Sequence, residues 1–390
     1  MRAQQGAGSV STGLPAPLGQ RIAIEIEAAG GFIGFDRYMA LALYAPEGGY
    51  YMRPRGDAGE SSPIGRTPRD GSDFVTAPLV SPLFGRALAP QAAQVFAAAG
   101  ASEVLEFGAG DGSLAAQMIE ALDALGAPPS AWRIVELSGA LRAVQRQRLA
   151  RFGERVQWLE AMPTAIHGLV LGNEVLDAMP VRLAVHRGDG WHERGVVRAE
   201  GRLEGPPRFA FADRPAPGLR LPEAAAALPE GSVTEVHEQA EAFAATVAGA
   251  LVRGAALFID YGFPEAEYHH PQRTGGTLAA HRGHRVAFDE AVLADPGAQD
   301  LTAHVNFTGI ALSAQAAGAD IAGYTTQAHL LLNGGLAALM EAADLRTRAE
   351  AARLVAEHEM GELFKALLFT RGLELPQPIG FARGDRLHRL

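Results

Sequence analysis

The sequence predicts an α/β protein of Rossmann-like type: a seven-stranded, mostly parallel sheet with an N-terminal helical cap and a lobe inserted between strands four and five. Three observations carry this expectation. From about residue 103, short apolar runs alternate with helical stretches, the pattern of a parallel sheet buried on both faces. The first run passes into the first such helix through a glycine-punctuated turn, Gly108-Ala109-Gly110-Asp111-Gly112. A long interruption, 180–235, then separates the fourth run from the fifth.

Taken in order, residues 1–18 are small, polar and proline-containing and read as a disordered tail. Apolar residues read at helical spacing (Ile22, Ile24, Ile26, then Phe32, Phe35, Met39 and Leu43) predict two short helices over 20–45, the start of a cap spanning 19–100. Residues 53–72 form a polar Gly/Pro/Ser stretch that reads as a mobile loop. Ser81-Pro82 opens the next helix, which Pro90 should kink or divide and which ends near Gly100. Candidate core strands are Glu103–Phe107, Arg133–Leu137, Val156–Leu159, Gly168–Gly172 and Ala255–Asp260, with two late ones at Asp320–Thr325 and Phe364–Thr370. The core therefore comprises 101–178 and 236–390, and 179–235 is the inserted substrate lobe. Within the lobe, Val181–Val185 and Trp191–Val197 flank Arg187-Gly188-Asp189-Gly190 and predict a hairpin. Residues 262–309 read as loop.

Composition removes several function classes. The 390 residues contain no cysteine, so disulfides, thiolate metal sites and cysteine nucleophiles are excluded. A formal net charge of -10 argues against nucleic acid held on a broad basic face and suits a basic protein substrate. No apolar run reaches the ~18 residues that span a bilayer, and the first residues lack the apolar stretch of a secretory signal. By elimination the expectation is a cytoplasmic protein without membrane insertion. His269, His270, His281 and His284 cluster in sequence, but not at metalloprotease spacing and in a stretch read as loop, so no metal is expected. A homodimer is compatible with the sequence and not readable from it.

The glycine turn predicts a nucleoside site. Gly108, Gly110 and Gly112 let a ligand approach bare backbone at the carboxyl edge of the sheet. A dinucleotide fits poorly, because its fingerprint needs glycine where Ser113 stands. Glu106 and Asp111 would also oppose a pyrophosphate, yet they favour the sulfonium and ammonium of S-adenosylmethionine. Glu136, closing the second candidate strand, is placed to grip ribose hydroxyls. With that donor the architecture becomes the class I methyltransferase variant. Asn173, Glu174 and Asp177 follow strand four, the edge that faces the reacting methyl. Paired carboxylates there could fork-bind a guanidinium. Glu174 could instead hold the donor, and Asp177 could cap the turn before Pro180.

Several ordered blocks resemble the MidA-like family, over about 31–370. They are Phe35–Tyr51, Asp73–Phe84, Asn173–Val181, Gly276–Leu278, Gln299–Phe307 and Met360–Leu367. The chain departs from the family pattern at Ser72 and at His281. The resemblance implies a methyltransferase of the kind that includes a mitochondrial complex I assembly factor, which dimethylates an arginine of a complex I subunit. It thus implies Glu174 and Asp177 as the catalytic pair, acting on an arginine presented by a protein. Glu106, Gly108, Gly110, Gly112, Ser113, Glu136 and Asn173 would hold the donor, and Thr76 and Pro78 would close over it. A small-molecule acceptor, or a donor-binding assembly factor with little turnover, are the alternatives.

Overall fold

The computed structural model describes residues 17–53, 73, 75–200 and 206–390. Nearly all of the expected tail over 1–18 and of the loop over 53–72 lies outside them, and Leu18, assigned to the tail, is the first residue of a helix. The chain opens with α1 (Leu18–Ala28), the short strand β1 (Ile33–Gly34) and α2 (Phe35–Tyr44). The apolar faces of both helices, Ile22, Ile26, Phe35, Met39 and Leu43 among them, are fully buried. Next come α3 (Ala77–Val80) and α4 (Leu83–Ala99). α4 continues through Pro90 as one element rather than two, and Gly100 closes it in the left-handed conformation, φ 68°.

The core begins with β2 (Glu103–Phe107), α5 (Ser113–Ala124), β3 (Ala131–Val135), α6 (Gly139–Leu149), β4 (Val156–Leu159) and β5 (Ile166–Asn173). β3 starts and stops two residues earlier than the sequence suggested, which leaves Glu136 just beyond the strand rather than within it. The lobe follows as β6 (Arg182–Arg187), β7 (Gly190–Arg198), β8 (Phe209–Pro215) and β9 (Val233–Val236), and α7 (Glu238–Ala250) leads back to the core. β6 and β7 form the expected hairpin, closing on Arg187↔Gly190.

The chain then returns to the core through β10 (Leu251–Phe263) and α8 (Glu265–Tyr268). The stretch expected as loop is instead built: β11 (Ala279–Arg282), β12 (Arg285–Ala287) and β13 (Asp300–Thr302) make a small antiparallel sheet, and β14 (Val305–Asn306) adds to β10. Alternation was hard to see because each strand has only two to four residues. The close is α9 (Phe307–Ala316), β15 (Asp320–Thr326), α10 (Gln327–Asn333), α11 (Leu336–Glu341), α12 (Leu345–Val355) and β16 (Phe364–Arg371).

The main sheet runs β15-β16-β10-β5-β2-β3-β4, with β14 as an eighth strand beside β10, against the seven expected. β4, β3, β2, β5 and β10 are mutually parallel, while β16 lies antiparallel between β10 and β15. The order reverses at β2, since the chain moves outward to β3 and β4 and then re-enters as β5 on the other side. That reversal opens a crevice at the carboxyl ends of β2 and β5, where ligands bind in such sheets. One face of the sheet is covered by α4 and α5, whose Leu88, Ala92, Leu114, Met118 and Leu122 join one core. The other is covered by α7 and α9 through Ala244, Val247 and Ile310. Burying each large aliphatic side chain contributes about 1.5–3 kcal/mol.

The N-terminal segment does not act as one cap. β1 pairs with β7, and α1 and α2 share a third core with Val181, Leu183 and Val196 of the lobe. Only α3 and α4 pack on the main sheet. Lobe and N-terminus therefore form one body above the crevice.

Gly168 combines a left-handed backbone with a close approach in the core: φ is +106° and an added Cβ would lie 2.3 Å from the Glu103 carbonyl oxygen. Gly168→Ala should cost about 3 kcal/mol from strain and overpacking together. Thermal unfolding within 1 kcal/mol of wild type would refute that.

Candidate active site

One cavity of about 860 Å³ lies over the crevice, lined by the turns after β2, β3 and β5, by α3, and by the small sheet built from β11 to β13. Of the residues singled out from the sequence, Thr76, Pro78, Glu106, Gly108, Gly110, Ser113, Glu136, Asn173, Glu174 and Asp177 all line it. Gly112 does not. It starts α5 with φ +84°, and a Cβ there would crowd Leu149 of α6 at 3.3 Å, so its requirement comes from helix packing.

On the β2–β3 side, the turn is held from beneath. Gln145 of α6 donates to the Gly110 carbonyl (2.9 Å) and to Glu136 Oε2 (3.0 Å), and accepts from Trp158 Nε1 (2.9 Å). The other Glu136 oxygen accepts from the Ser138 amide at 2.9 Å. Burial raises the Glu136 carboxyl and these donors oppose the rise. Glu106, 1% exposed, accepts Trp132 Nε1 at 2.7 Å, and burial pushes its carboxyl up to about 8. Asp111 accepts from the Ser113 amide (2.9 Å) and pairs with Arg148 (2.8 Å), which also bonds Ser113 Oγ. Its charge is thus partly offset, which sequence could not reveal.

On the β5 side the turn is unusual. Glu174 adopts φ 54°, a left-handed conformation costly for a side chain with a Cβ. Asn173 Nδ2 donates to Glu174 Oε1 at 2.9 Å, and the Ala77 amide at the head of α3 approaches the same oxygen at 3.4 Å. The turn is fixed by Asp260 of β10. Its Oδ2 accepts from the amides of Val175 (3.0 Å), Leu176 (2.9 Å) and Asp177 (3.3 Å). Capping therefore falls to Asp260, not to Asp177. An aspartate closing an apolar strand before Tyr-Gly was the available signal.

Asp177, 5% exposed, accepts the Tyr261 hydroxyl on Oδ2, while its Oδ1 is buried without a partner. Burial raises Glu174 to about 8, aided by repulsion from Asp177, and raises Asp177 to about 6. Asp300 also lines the cavity, with Tyr51 donating to Oδ1 at 2.9 Å. His281 and His304 line the same wall, both held below the usual histidine range by burial, His304 at about 4. Among the described residues no cluster of His, Asp and Glu is arranged for a metal ion, and no helix is long and apolar enough to cross a membrane.

Among the described residues that line the cavity there is no lysine or arginine, whereas Glu106, Asp111, Glu136, Glu174, Asp177 and Asp300 are present. A pyrophosphate would meet carboxylates on every side. A nucleoside carrying a sulfonium and an ammonium fits this donor set, with Glu136 free to bond hydroxyls and the glycine backbone open to the rest.

Comparison with known proteins agrees. Residues 87–325 match the family model described as "Putative S-adenosyl-L-methionine-dependent methyltransferase". The chain belongs to this methyltransferase family. A Burkholderia thailandensis crystal structure, described as a "likely methyl transferase" bound to S-adenosyl-homocysteine, is 46% identical, with TM-score 0.88 over 97% of this chain and 100% of that one. A native structure from the same organism is 44% identical, TM-score 0.83, with the same coverage. A protein arginine methyltransferase, NDUFAF7, of Danio rerio is 27% identical over 72% of this chain and 68% of its own length. Its Mus musculus counterpart is 26% identical over 82% and 74%. Family members use S-adenosylmethionine, and the protein is an S-adenosylmethionine-dependent methyltransferase. One expectation is corrected here. The cytoplasmic setting rested on elimination alone, and the curated relatives are named mitochondrial.

Two measurements test this geometry. Glu136→Ala should weaken S-adenosyl-homocysteine binding at least tenfold by calorimetry (about 1.4 kcal/mol), and unchanged affinity would remove Glu136 from the site. Glu106 supplies the second. Above its ordinary value of 4.5 the unfolded chain ionises this group while the folded protein keeps it neutral up to about 8. Stability contributed by Glu106 therefore falls as pH rises across that window. Glu106→Gln should gain in stability over wild type as pH goes from 4 to 8, by up to about 5 kcal/mol, read from melting curves across that range. A difference constant with pH would contradict the assignment.

Proposed function

We propose that the protein transfers a methyl group to a guanidino nitrogen of an arginine presented by a protein substrate. The carrying observation is Asp177: a carboxylate almost wholly buried in the cavity wall, with Oδ1 unpartnered, beside a second raised carboxylate, Glu174. Buried carboxylates without a cationic partner are costly, and a guanidinium with five N–H donors relieves that cost. The names of the curated relatives support the same acceptor class.

In this reading the chain's residues divide between two ligands. Gly108, Gly110, Ser113, Glu106, Glu136 and Asn173 hold the donor, and Thr76 and Pro78, around the start of α3, cover it. When bound, S-adenosylmethionine supplies an electrophilic methyl on a sulfonium. Asp177 and Glu174 align one guanidino nitrogen with that methyl and keep water from it. The nitrogen–carbon bond forms as the carbon–sulfur bond breaks, and one nitrogen proton must leave. Glu174 is the carboxylate placed to accept it, since its raised value brings it near working pH. The family resemblance makes a respiratory complex I subunit the first acceptor to try.

The decisive experiment supplies labelled donor and the protein to a lysate from cells lacking it, with mass spectrometry of the methylated product. Methyl groups on arginine nitrogens are expected. Label confined to small metabolites would overturn the acceptor class. Asp177→Asn should cut the transfer rate at least a hundredfold while leaving S-adenosyl-homocysteine affinity within about threefold (0.7 kcal/mol or less).

A further inference from the structure

The acceptor half of the cavity holds more than the pair singled out by sequence. Asp300 of β13 is 3% exposed and lines the cavity. β13 is drawn against the Asp177 turn by a backbone hydrogen bond from the Ala303 amide to the Asp177 carbonyl, 2.9 Å. Asp177 and Asp300 lie close enough that the charge of Asp177 helps raise the Asp300 carboxyl. Neither forms an ion pair with a lysine or arginine among the described residues, although both are buried. Each is instead steadied by a phenol: Tyr51 donates to Asp300 at 2.9 Å and Tyr261 to Asp177.

The phenols are themselves fixed. Tyr44 stacks on Tyr51 with ring centroids 5.6 Å apart and planes 19° from parallel, and its hydroxyl donates to the Ala178 carbonyl at 2.9 Å. Tyr261 packs edge-on against His304 and Phe364, at 5.1 and 5.3 Å. All three tyrosines line the cavity. Glu174 lies on the other flank, bonded to Asn173 and approached by the Ala77 amide, next to the cover over the donor.

We infer that Asp177 and Asp300, walled by Tyr44, Tyr51 and Tyr261, form the subsite that takes the planar cationic head of the acceptor side chain. Asp300 is thereby an acceptor-binding residue. This rests on the proposed arginine acceptor and adds to it. Three features favour a guanidinium over other cations. Two carboxylates can accept from different edges of its fork. The stacked Tyr44–Tyr51 pair lines the cavity with aromatic rings, which attract a planar, weakly hydrated cation. The unpartnered Asp177 Oδ1 shows that the wall has acceptor capacity unused by the protein itself. An ammonium, compact and strongly hydrated, would use the charges but less of the aromatic wall.

The test uses full-length protein saturated with S-adenosyl-homocysteine, titrated with Nα-acetyl-arginine amide and Nα-acetyl-lysine amide and followed by NMR. Wild type should bind the arginine probe more tightly than the lysine probe. Asp300→Asn should weaken the arginine probe at least tenfold, and Tyr51→Phe two- to fivefold, with S-adenosyl-homocysteine affinity within twofold in both. Asp300→Asn binding the arginine probe as wild type does would overturn the role of Asp300 while leaving the arginine acceptor standing. Preference for the lysine probe, still lost in Asp300→Asn, would sink the arginine acceptor and keep the cationic subsite. Binding of neither probe by wild type would overturn the subsite itself. Should Asp300→Asn lose S-adenosyl-homocysteine binding through misfolding, Tyr51→Phe decides, and an unchanged arginine affinity there refutes the cage.

Discussion

Asp260 grips the turn after β5 by accepting three successive backbone amides on one carboxylate oxygen. Much of the β5 side of the cavity depends on this contact. Orphan amides at a sheet edge would otherwise need water or a ligand. Here one buried carboxylate satisfies them, and in doing so it presents Glu174 and Asp177 to the cavity from a fixed frame. Glu174 pays for this placement with a left-handed backbone. Such strain persists only where the surroundings over-determine it, and the Glu174 amide to Ile259 carbonyl bond, at 2.9 Å, extends the β5–β10 pairing into the turn.

Electrostatics then divides the cavity. On the β2–β3 side, Glu106 and Glu136 have donors from Trp132, Gln145 and the Ser138 amide, and Asp111 has Arg148. On the β5 side, Glu174, Asp177 and Asp300 have amide and phenol donors but no cationic partner among the described residues. The carboxyls there are raised, chiefly by burial, and mutual repulsion adds to this for Glu174 and Asp300. A site of this kind gives up stability in the free protein and recovers it when a positively charged partner enters. The lobe and the small sheet of β11–β13 contribute by closing the space around these groups, which lowers the local dielectric and strengthens every charge interaction within it.

Much of the β2–β3 side of the cavity was legible in the sequence. A strand, three glycines and a helix must form a tight turn at the sheet edge. The absence of a glycine at Ser113 and the carboxylates nearby together exclude a pyrophosphate. Less visible was that the same glycines divide their work: Gly108 and Gly110 line the cavity, whereas Gly112 exists for the packing of α5 on α6. Gln145, which ties the turn to Glu136, carries no signal because helical residues reach their targets through tertiary packing rather than spacing. The loop expected over 262–309 became strands because their pairing partners are supplied by neighbours, and strands this short have no periodicity of their own.

By itself, then, the sequence determined the alternation of strands and helices, the nucleoside turn and the chemistry of its ligand, since these follow from local backbone requirements and residue types read in order. Only the tertiary structure decided which carboxylates meet. Asp177, Asp260 and Asp300 are separated by long stretches of chain and converge because parallel strands deliver their carboxyl ends to one edge and β13 docks on the turn between them. Their burial, and hence their need for a cation, is a property of that convergence and of no single segment.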